Sequence, residues 1–224
     1  MRTILLGGIL LLALIHPVEL LAQQAPVRVS FMPRAGVLTQ AAAFKQQWND
    51  PPPEFRQVWR YRFEPDLVLG AAAEVETGAL PVGLRLEVNR APSLRLKQEA
   101  GSHGPPLYEN TDADLTTGTL AAVVEPEGAC YRGICLRLLL GAGVKHYRFD
   151  ATLISDDTIY RFAEDQTRTT LQLGVGIATR LAGPLSVIAE INDFSNRVVL
   201  FNADDPSGRV HDILATLGVA LRLP

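Results

Sequence analysis

Two thiols in this chain could form a covalent bond or hold a metal. Cys130 and Cys135, the only cysteines, flank residues 131–134 between two strand-like stretches. In an oxidising compartment, cysteines at this spacing form a disulfide that closes a short turn. A metal pair is the alternative, but no histidine or acidic cluster with ligand spacing accompanies them. The sequence therefore predicts a Cys130–Cys135 disulfide and neither a metal site nor a cofactor.

Acidic pairs are the next candidates for chemistry. Asp112, Asp114 and Thr116 faintly resemble the start of a calcium-binding loop, but the glycine and the distal glutamate of such a loop are missing. Two further pairs stand at 156–157 and 204–205. We expect all three pairs to be solvated loop charges, with divalent-cation bridging to phosphates as the alternative.

Ten charged residues occur at alternate positions within otherwise apolar segments. If these segments are strands, the charges share the face opposite the apolar side chains. Charges on an enclosed face are tolerated when they are paired with the opposite sign. We therefore predict an internal network of ion pairs that involves Arg28, Arg34, Glu74, Glu76, Arg85, Glu87, Arg137, Arg180, Glu190 and Arg222.

The elements that would position these charges are eight alternating segments, which we interpret as β-strands. In the segment 134–149, for example, Leu136 and Leu138 alternate with Arg137 and Leu139. The predicted strands are about 27–38, 65–76, 82–97, 115–125, 134–149, 168–181, a seventh from residue 185 and an eighth that ends at residue 223.

Short and long connections alternate between these segments. Tight turns with glycine or proline lie at 77–81, 128–133 and 182–184, whereas 39–64, 98–114, 150–167 and 195–210 are long. This asymmetry is typical of a transmembrane β-barrel. We therefore predict an all-β fold, namely an eight-stranded antiparallel up-and-down transmembrane β-barrel. The alternative is a soluble lipocalin-like barrel with the apolar face inside. Two observations favour the membrane barrel: the apolar faces of the strands carry no charge, and the opposite faces are rich in glycine.

The N-terminus has the order of a secretory signal peptide. A basic start precedes the apolar run 4–15, and Ala22 offers a small residue for cleavage. The sequence thus predicts a signal peptide at 1–22 and a barrel at 23–224. Aromatic residues near predicted strand ends suggest an outward-facing interfacial girdle of Phe63, Tyr147, Phe149 and Phe194, with packing against the loops as the alternative.

The last strand carries the sharpest motif, Thr216-x-Gly218-x-x-Leu221-x-Leu223. It resembles the C-terminal assembly signal of bacterial outer-membrane barrels, and the chain resembles the small eight-stranded family that includes the OmpA transmembrane domain and OmpX-type proteins. It departs from that family where Leu223 stands in place of the usual terminal phenylalanine. The resemblance implies a protein of the Gram-negative outer membrane that contacts lipid, lipopolysaccharide and the barrel-assembly machinery.

Some barrels of this size resemble lipid A deacylases, in which a histidine and a serine two residues later carry the reaction. Here the four histidines are followed at that spacing by Val18, Pro105, Arg148 and Ile213, so no catalytic residue is predicted. The net charge of -3 gives no basic surface for nucleic acid. We expect a monomeric, non-enzymatic barrel with a structural or surface-interaction role, and a narrow channel or a lipid-modifying enzyme as alternatives.

Overall fold

A computed structural model describes the chain over nine ranges, and within them every regular element is a β-strand. No helix in this part of the chain is long and apolar enough to span a membrane. The predicted signal peptide lies outside the described residues. The ranges are 27–41, 44–48, 57–77, 81–98, 110–126, 128–155, 158–197, 205–207 and 209–223.

Eight long strands form a closed antiparallel barrel, which confirms the predicted fold. Each long strand pairs with the next long strand in the chain, and the last pairs with the first. In chain order, the elements are β1 (Val27–Gln40), β2 (Phe44–Trp48), β3 (Gln57–Phe63), β4 (Asp66–Thr77), β5 (Val82–Gln98), β6 (Asn110–Val124), β7 (Cys130–Tyr131), β8 (Ile134–Ser155), β9 (Thr158–Arg180), β10 (Leu185–Asn196), β11 (Asp205–Ser207) and β12 (Val210–Leu223). Four of these, β2, β3, β7 and β11, are short and lie outside the barrel wall.

The outer surface of the barrel carries a band of exposed aliphatic side chains, which we call the apolar belt. Leu138 is 44% exposed, Val175 46% and Leu217 59%, although all three are large and apolar. Because a soluble barrel buries such residues inside, the belt is incompatible with the lipocalin-like alternative. Its members include Leu69, Leu84, Leu86, Val88, Leu120, Leu136, Leu138, Leu140, Leu171, Leu173, Val175, Ile177, Ile191, Leu217 and Val219.

One end of the barrel holds the first and last described residues, and we call it the terminal end. The predicted tight turns at 128–133 and 182–184 lie here, whereas residues 78–80 of the predicted turn at 77–81 lie outside the described residues. Cys130 and Cys135 form the predicted disulfide across the β7–β8 hairpin. Arg132 and Gly133 turn that hairpin with φ of 51° and 82°, the left-handed geometry that a two-residue hairpin turn requires.

The opposite end, the loop end, contains more strand than the sequence predicts. The expected loop at 150–167 is wrong, because β8 and β9 continue through these residues as one hairpin, paired as far as Ser155 and Thr158. The segment 39–64 likewise contains β2 and β3, and β3 joins the edge of β5. These corrections share a cause, because cross-strand hydrogen bonds in a long hairpin sustain strands whose own alternation is weak.

Candidate functional site

Six charged side chains form a buried layer inside the barrel, which we call the ionic layer. Each is 5% exposed or less. Five strands supply them through inward-facing alternate positions, and their formal charges cancel. The layer consists of Arg34 on β1, Glu74 on β4, Arg85 and Glu87 on β5, Arg137 on β8 and Glu190 on β10.

Arg85 lies at the centre of this layer and bridges two glutamates. Its Nη1 lies 2.6 Å from Oε2 of Glu190, and its Nη2 lies 2.7 Å from Oε2 of Glu74. Arg34 pairs with Glu87 at 2.9 Å and lies 3.5 Å from Glu190. The carboxylate of Glu190 therefore lies within ion-pair distance of both arginines.

The third arginine closes the layer toward the terminal end. Arg137 forms an ion pair with Glu74, its Nη1 lies 3.7 Å from Glu190, and its Nε lies 3.1 Å from the half-exposed Glu125. Neutral amides continue the network toward the loop end, where Gln172 donates to Glu87 at 3.2 Å. The side-chain charges in this layer thus have partners on several strands at once.

Glycine on the inner wall makes room for the network. A Cβ atom built on Gly176 would lie 2.5 Å from Cγ of Glu190 and 2.7 Å from the carbonyl oxygen of Ala189. Both distances are shorter than real Cβ contacts allow. The side chain of Glu190 can therefore lie against the neighbouring strand only because that position has no side chain.

The remaining four residues of the predicted network lie at the terminal rim. Glu76 and Arg222 form a half-buried pair at 3.4 Å. Arg28 lines a cavity of about 170 Å³ at this end together with Glu74 and Glu76, but its own residue is exposed. Arg180 is also exposed and belongs to no ion pair among the described residues. Arg28 and Arg180 stand within two positions of a strand end and are exposed, so neither joins the buried layer.

At the loop end the interior is filled by apolar and aromatic side chains, which we call the apolar plug. The rings of Phe63, Tyr147 and Phe149 stack with centroids 5.7–6.3 Å apart, and each is 1% exposed or less. The predicted outward girdle of these residues and Phe194 is therefore wrong. The plug consists of Leu38, Phe63, Val68, Ala91, Leu94, Ala113, Leu115, Tyr147, Phe149, Phe194, Val210 and Leu214.

A small polar cluster is embedded in the apolar plug. Lys145 forms an ion pair with Asp212, and the Tyr147 hydroxyl donates to the same carboxylate at 3.2 Å. The Asn196 amide donates to that hydroxyl at 3.0 Å. Sequence reasoning missed this cluster, although alternation along β8 places Lys145 on the face of Arg137.

Beyond the apolar belt, toward the loop end, the outer surface becomes polar. Arg90 and Asp114 form a pair at 2.5 Å across β5 and β6, and the hydrogen bond from this arginine lowers the pKa of the Asp114 carboxyl. Asp112 is exposed on the same strand rather than in a loop. Of the other two pairs, residues 156, 157 and 204 lie outside the described residues. His146 bonds to Thr167 at 3.0 Å on this surface.

A second histidine on the outer surface has an acidic partner. Nδ1 of His211 on β12 lies 2.9 Å from the Asp193 carboxylate on β10, and Ser195 is the direct cross-strand neighbour of this histidine. The Ser195 hydroxyl, however, has no hydrogen-bond partner. The search for a serine two residues after a histidine missed this group because its members lie on two strands.

The residues of the predicted assembly signal lie on β12, which closes the barrel between β1 and β10. Thr216 and Gly218 face inward, whereas Leu221 and Leu223 face outward and are 43% and 39% exposed. Inward Gly218 accommodates the Met32 side chain of β1. Nothing in the closed barrel tests whether the motif directs assembly, so that role stays a prediction.

Comparison with known proteins places the chain by fold. No protein-family profile and no curated protein sequence matches it. A major outer membrane protein from Thermus thermophilus superposes with a TM-score of 0.55 at 17% identity, covering 87% of this chain and 99% of that one. The outer membrane protein OprG from Pseudomonas aeruginosa gives 0.50 at 14% identity, covering 87% and 95%. The chain therefore has the fold of the small eight-stranded outer-membrane β-barrels.

Proposed function

We propose that the protein is a non-enzymatic, non-conducting barrel of the outer membrane that presents its loop end to the cell exterior. The observation that carries this proposal is the filled interior, in which the ionic layer and the apolar plug follow one another along the barrel axis. A lumen filled in this way suits a scaffold rather than a transport path.

The burial of the six charges argues against the narrow-channel alternative. A water-filled bore would leave charged groups hydrated, but Arg85 is 0% exposed, Glu87 1% and Arg137 1%. Beyond them, Phe149 and Leu94 are 0% exposed, so a permeating ion would meet an apolar barrier as well. Moving a bare ion through such an interior is strongly unfavourable.

The test is planar-bilayer conductance of the purified, refolded protein. We expect no steady current steps at neutral pH, whereas a known porin in the same bilayers conducts. The matched variant is Arg85→Ala combined with Phe149→Ala, which opens both layers; any conductance should appear there first. Steady ohmic steps from the unmodified protein would contradict the proposal.

The loop end supports a surface-interaction role because it extends the barrel beyond the apolar belt. The β8–β9 hairpin continues to Ser155, and β11, β2 and β3 form a further sheet on the edge of β5. In the outer membrane, we expect this end to face outward, with lipid and lipopolysaccharide around the belt. We also expect a monomer that reaches the membrane through the barrel-assembly machinery.

Epitope insertion tests this orientation. A tag between Ser155 and Thr158 should be labelled by antibody on intact cells, while a tag at Gly183 in the β9–β10 turn should be labelled only after permeabilisation. The two insertions are matched, since both lie in turns between consecutive barrel strands. If only the tag at Gly183 were labelled on intact cells, the barrel would have the opposite orientation in the membrane.

A second candidate function is hydrolysis of a lipid ester at the outer surface, favoured by the His211–Asp193 pair beside Ser195. A general base with its orienting acid is two thirds of a serine-hydrolase constellation. Mass spectrometry of membrane lipids from cells that overproduce the protein tests it. Loss of acyl chains that Ser195→Ala abolishes would establish this function, and unchanged lipids would dismiss it.

A further inference from the structure

A pocket of about 510 Å³ opens in the barrel wall at the point where β10 ends and the β8–β9 hairpin projects beyond it. β10 ends at Asn196, and its last pairing with β9 is between Ser195 and Leu171. Among the described strands, β9 continues toward Thr158 with a neighbour only on its β8 side. The pocket occupies this notch, and its lining includes Arg168, Leu171, Ser195, Asn196, Arg197 and Arg209.

The pocket lining is positively charged. Among the residues that the structure describes, the lining contains three arginines, Arg168, Arg197 and Arg209, and no carboxylate. Within the described part of the chain, none of the three takes part in an ion pair, and Arg168 is bonded only to the Gln166 amide oxygen, at 3.3 and 3.4 Å. This contrasts with the ionic layer, in which every arginine has a glutamate. Arginines that line one pocket and have no carboxylate partner among the described residues favour a phosphate-bearing ligand.

Two buried polar atoms of the pocket lining have no hydrogen-bond partner. The Asn196 side chain donates to Tyr147 through its nitrogen, but its Oδ1 is unpaired, and this residue is 4% exposed. The hydroxyl of Ser195 is unpaired as well. A buried amide oxygen accepts hydrogen bonds only, so its natural partner is a ligand hydroxyl.

The geometry points to a binding site for a phosphorylated sugar in this notch. The three arginines hold the phosphate, and the sugar hydroxyls meet Ser195 and Asn196. Such a group occurs both as a free sugar phosphate and as the head group of a membrane glycolipid. Leu171 is 54% exposed and lines the same pocket at the upper limit of the apolar belt, next to where an attached acyl chain would lie.

Calorimetric titration of the refolded protein in detergent micelles with glucosamine 1-phosphate tests the site. We expect binding of this probe, weaker binding of inorganic phosphate, and none of glucosamine at the same concentrations. The double variant Arg197→Gln/Arg209→Gln should weaken binding by about tenfold or more, since it removes two charge-assisted contacts. The matched control is Arg148→Gln, an exposed arginine of the same end that pairs with Asp165 outside the pocket. It should bind like the unmodified protein.

Nuclear magnetic resonance of arginine side chains in the unmodified protein gives a reading that does not depend on a variant. The Nε resonances of Arg168, Arg197 and Arg209 should shift most on addition of glucosamine 1-phosphate. Absence of binding, shifts centred on other arginines, or equal affinity of the double variant would each overturn the proposal. Ser195→Ala should reduce the preference for the sugar phosphate over inorganic phosphate.

Competition in nanodiscs identifies the source of the sugar phosphate. If a diphosphorylated glycolipid in the nanodisc displaces glucosamine 1-phosphate, the ligand is a membrane lipid, which rests on the proposed location in the outer membrane. If it does not displace the soluble probe, the site serves free sugar phosphates. Both results support the site, and neither depends on whether the barrel conducts, so the failure of one proposal leaves the other standing.

Discussion

At its terminal end the barrel interior is filled by arginine and glutamate, whereas at its loop end it is filled by aromatic and aliphatic side chains. Both regions are equally buried, so burial alone does not decide which chemistry fills a barrel. The two regions differ in how their members depend on each other. Charges require partners of opposite sign, and here Glu190 serves Arg34 and Arg85 together. Apolar side chains require only contact.

The apolar plug depends on a residue from outside the barrel wall. Phe63 ends β3, and its backbone nitrogen donates to Oε1 of Gln40 on β1 at 3.0 Å. This bond holds the ring over the lumen, where it stacks against Tyr147 and Phe149. The ionic layer, in contrast, is built from barrel strands alone. We conclude that the ionic layer is set by strand register and the plug by tertiary packing at the loop end.

The largest expected effect on stability comes from removing one charge of the ionic layer. Arg85→Met should lower the free energy of unfolding by roughly 3–5 kcal/mol, because Glu74 and Glu190 are then left buried without their central partner. Guanidinium unfolding in phospholipid vesicles measures it. Arg90→Met on the same strand is the control, since Arg90 lies on the outer surface, and its effect should be far smaller. Equal effects of the two variants would mean that the layer contributes nothing as a network.

A second prediction tests which face of the wall encloses both regions. Leu217→Lys places a charge in the apolar belt and should destabilise the barrel by about 2–4 kcal/mol near the bilayer midplane. The neighbouring Thr216 is 8% exposed and faces inward. A cysteine-attached fluorophore at position 217 should be quenched by lipid-borne quenchers, and one at 216 should not. Quenching at position 216 and not at 217 would mean that the face assigned to the lumen is the one that contacts lipid.

A third prediction concerns the polar cluster inside the plug, where the two chemistries meet. Tyr147→Phe keeps the stacked ring and removes only the hydroxyl, which leaves Asn196 and the Asp212 carboxylate with one partner fewer. The expected loss is about 1–3 kcal/mol, the penalty for buried polar groups without partners. Phe149→Tyr is the reciprocal variant, because it adds a hydroxyl to a neighbouring ring of the same stack. A neutral effect of Tyr147→Phe would show that the cluster is hydrated rather than dry.

The sequence predicts the barrel and the inward-facing charges because both follow from alternation along single strands, whereas the pairing of those charges depends on register. Arg85 and Glu87, for example, share a face at period two with no knowledge of their partners. The same rule places Tyr147 inside, whereas its position near a predicted strand end suggests an interfacial girdle outside. Partnerships across strands, such as Ser195 beside His211, could not be predicted because they depend on register.

A bulge shows a further limit of period-two reasoning. The β5–β6 register shifts between Ala91 and Leu94, around Pro92, which lacks an amide hydrogen for the ladder. Both Ala91 and Leu94 are buried although three positions separate them. Alternation counted from residue 82 therefore assigns Leu94 to the wrong face. One of the members of the apolar plug is inside only because of this irregularity.

The smallest expected effect concerns the polar outer surface and separates exposed ion pairs from those of the ionic layer. Asp114 is paired with the exposed Arg90, which lowers the pKa of this carboxyl from its ordinary value of 3.8. A lowered pKa in the folded state contributes stability above the ordinary value, and that contribution is lost as the pH falls through the folded-state pKa. The stability of Asp114→Asn in vesicles should therefore differ slightly from that of the unmodified protein at pH 7, and the difference should disappear as the pH falls below 3.8 and through the lowered folded-state pKa. High salt should remove this difference, because exposed pairs are screened, while leaving the Arg85→Met effect largely unchanged. If the effect of Asp114→Asn on stability did not change with salt, the Arg90–Asp114 pair would be shielded from solvent. The outer surface and the ionic layer would then not differ in how their ion pairs respond to salt.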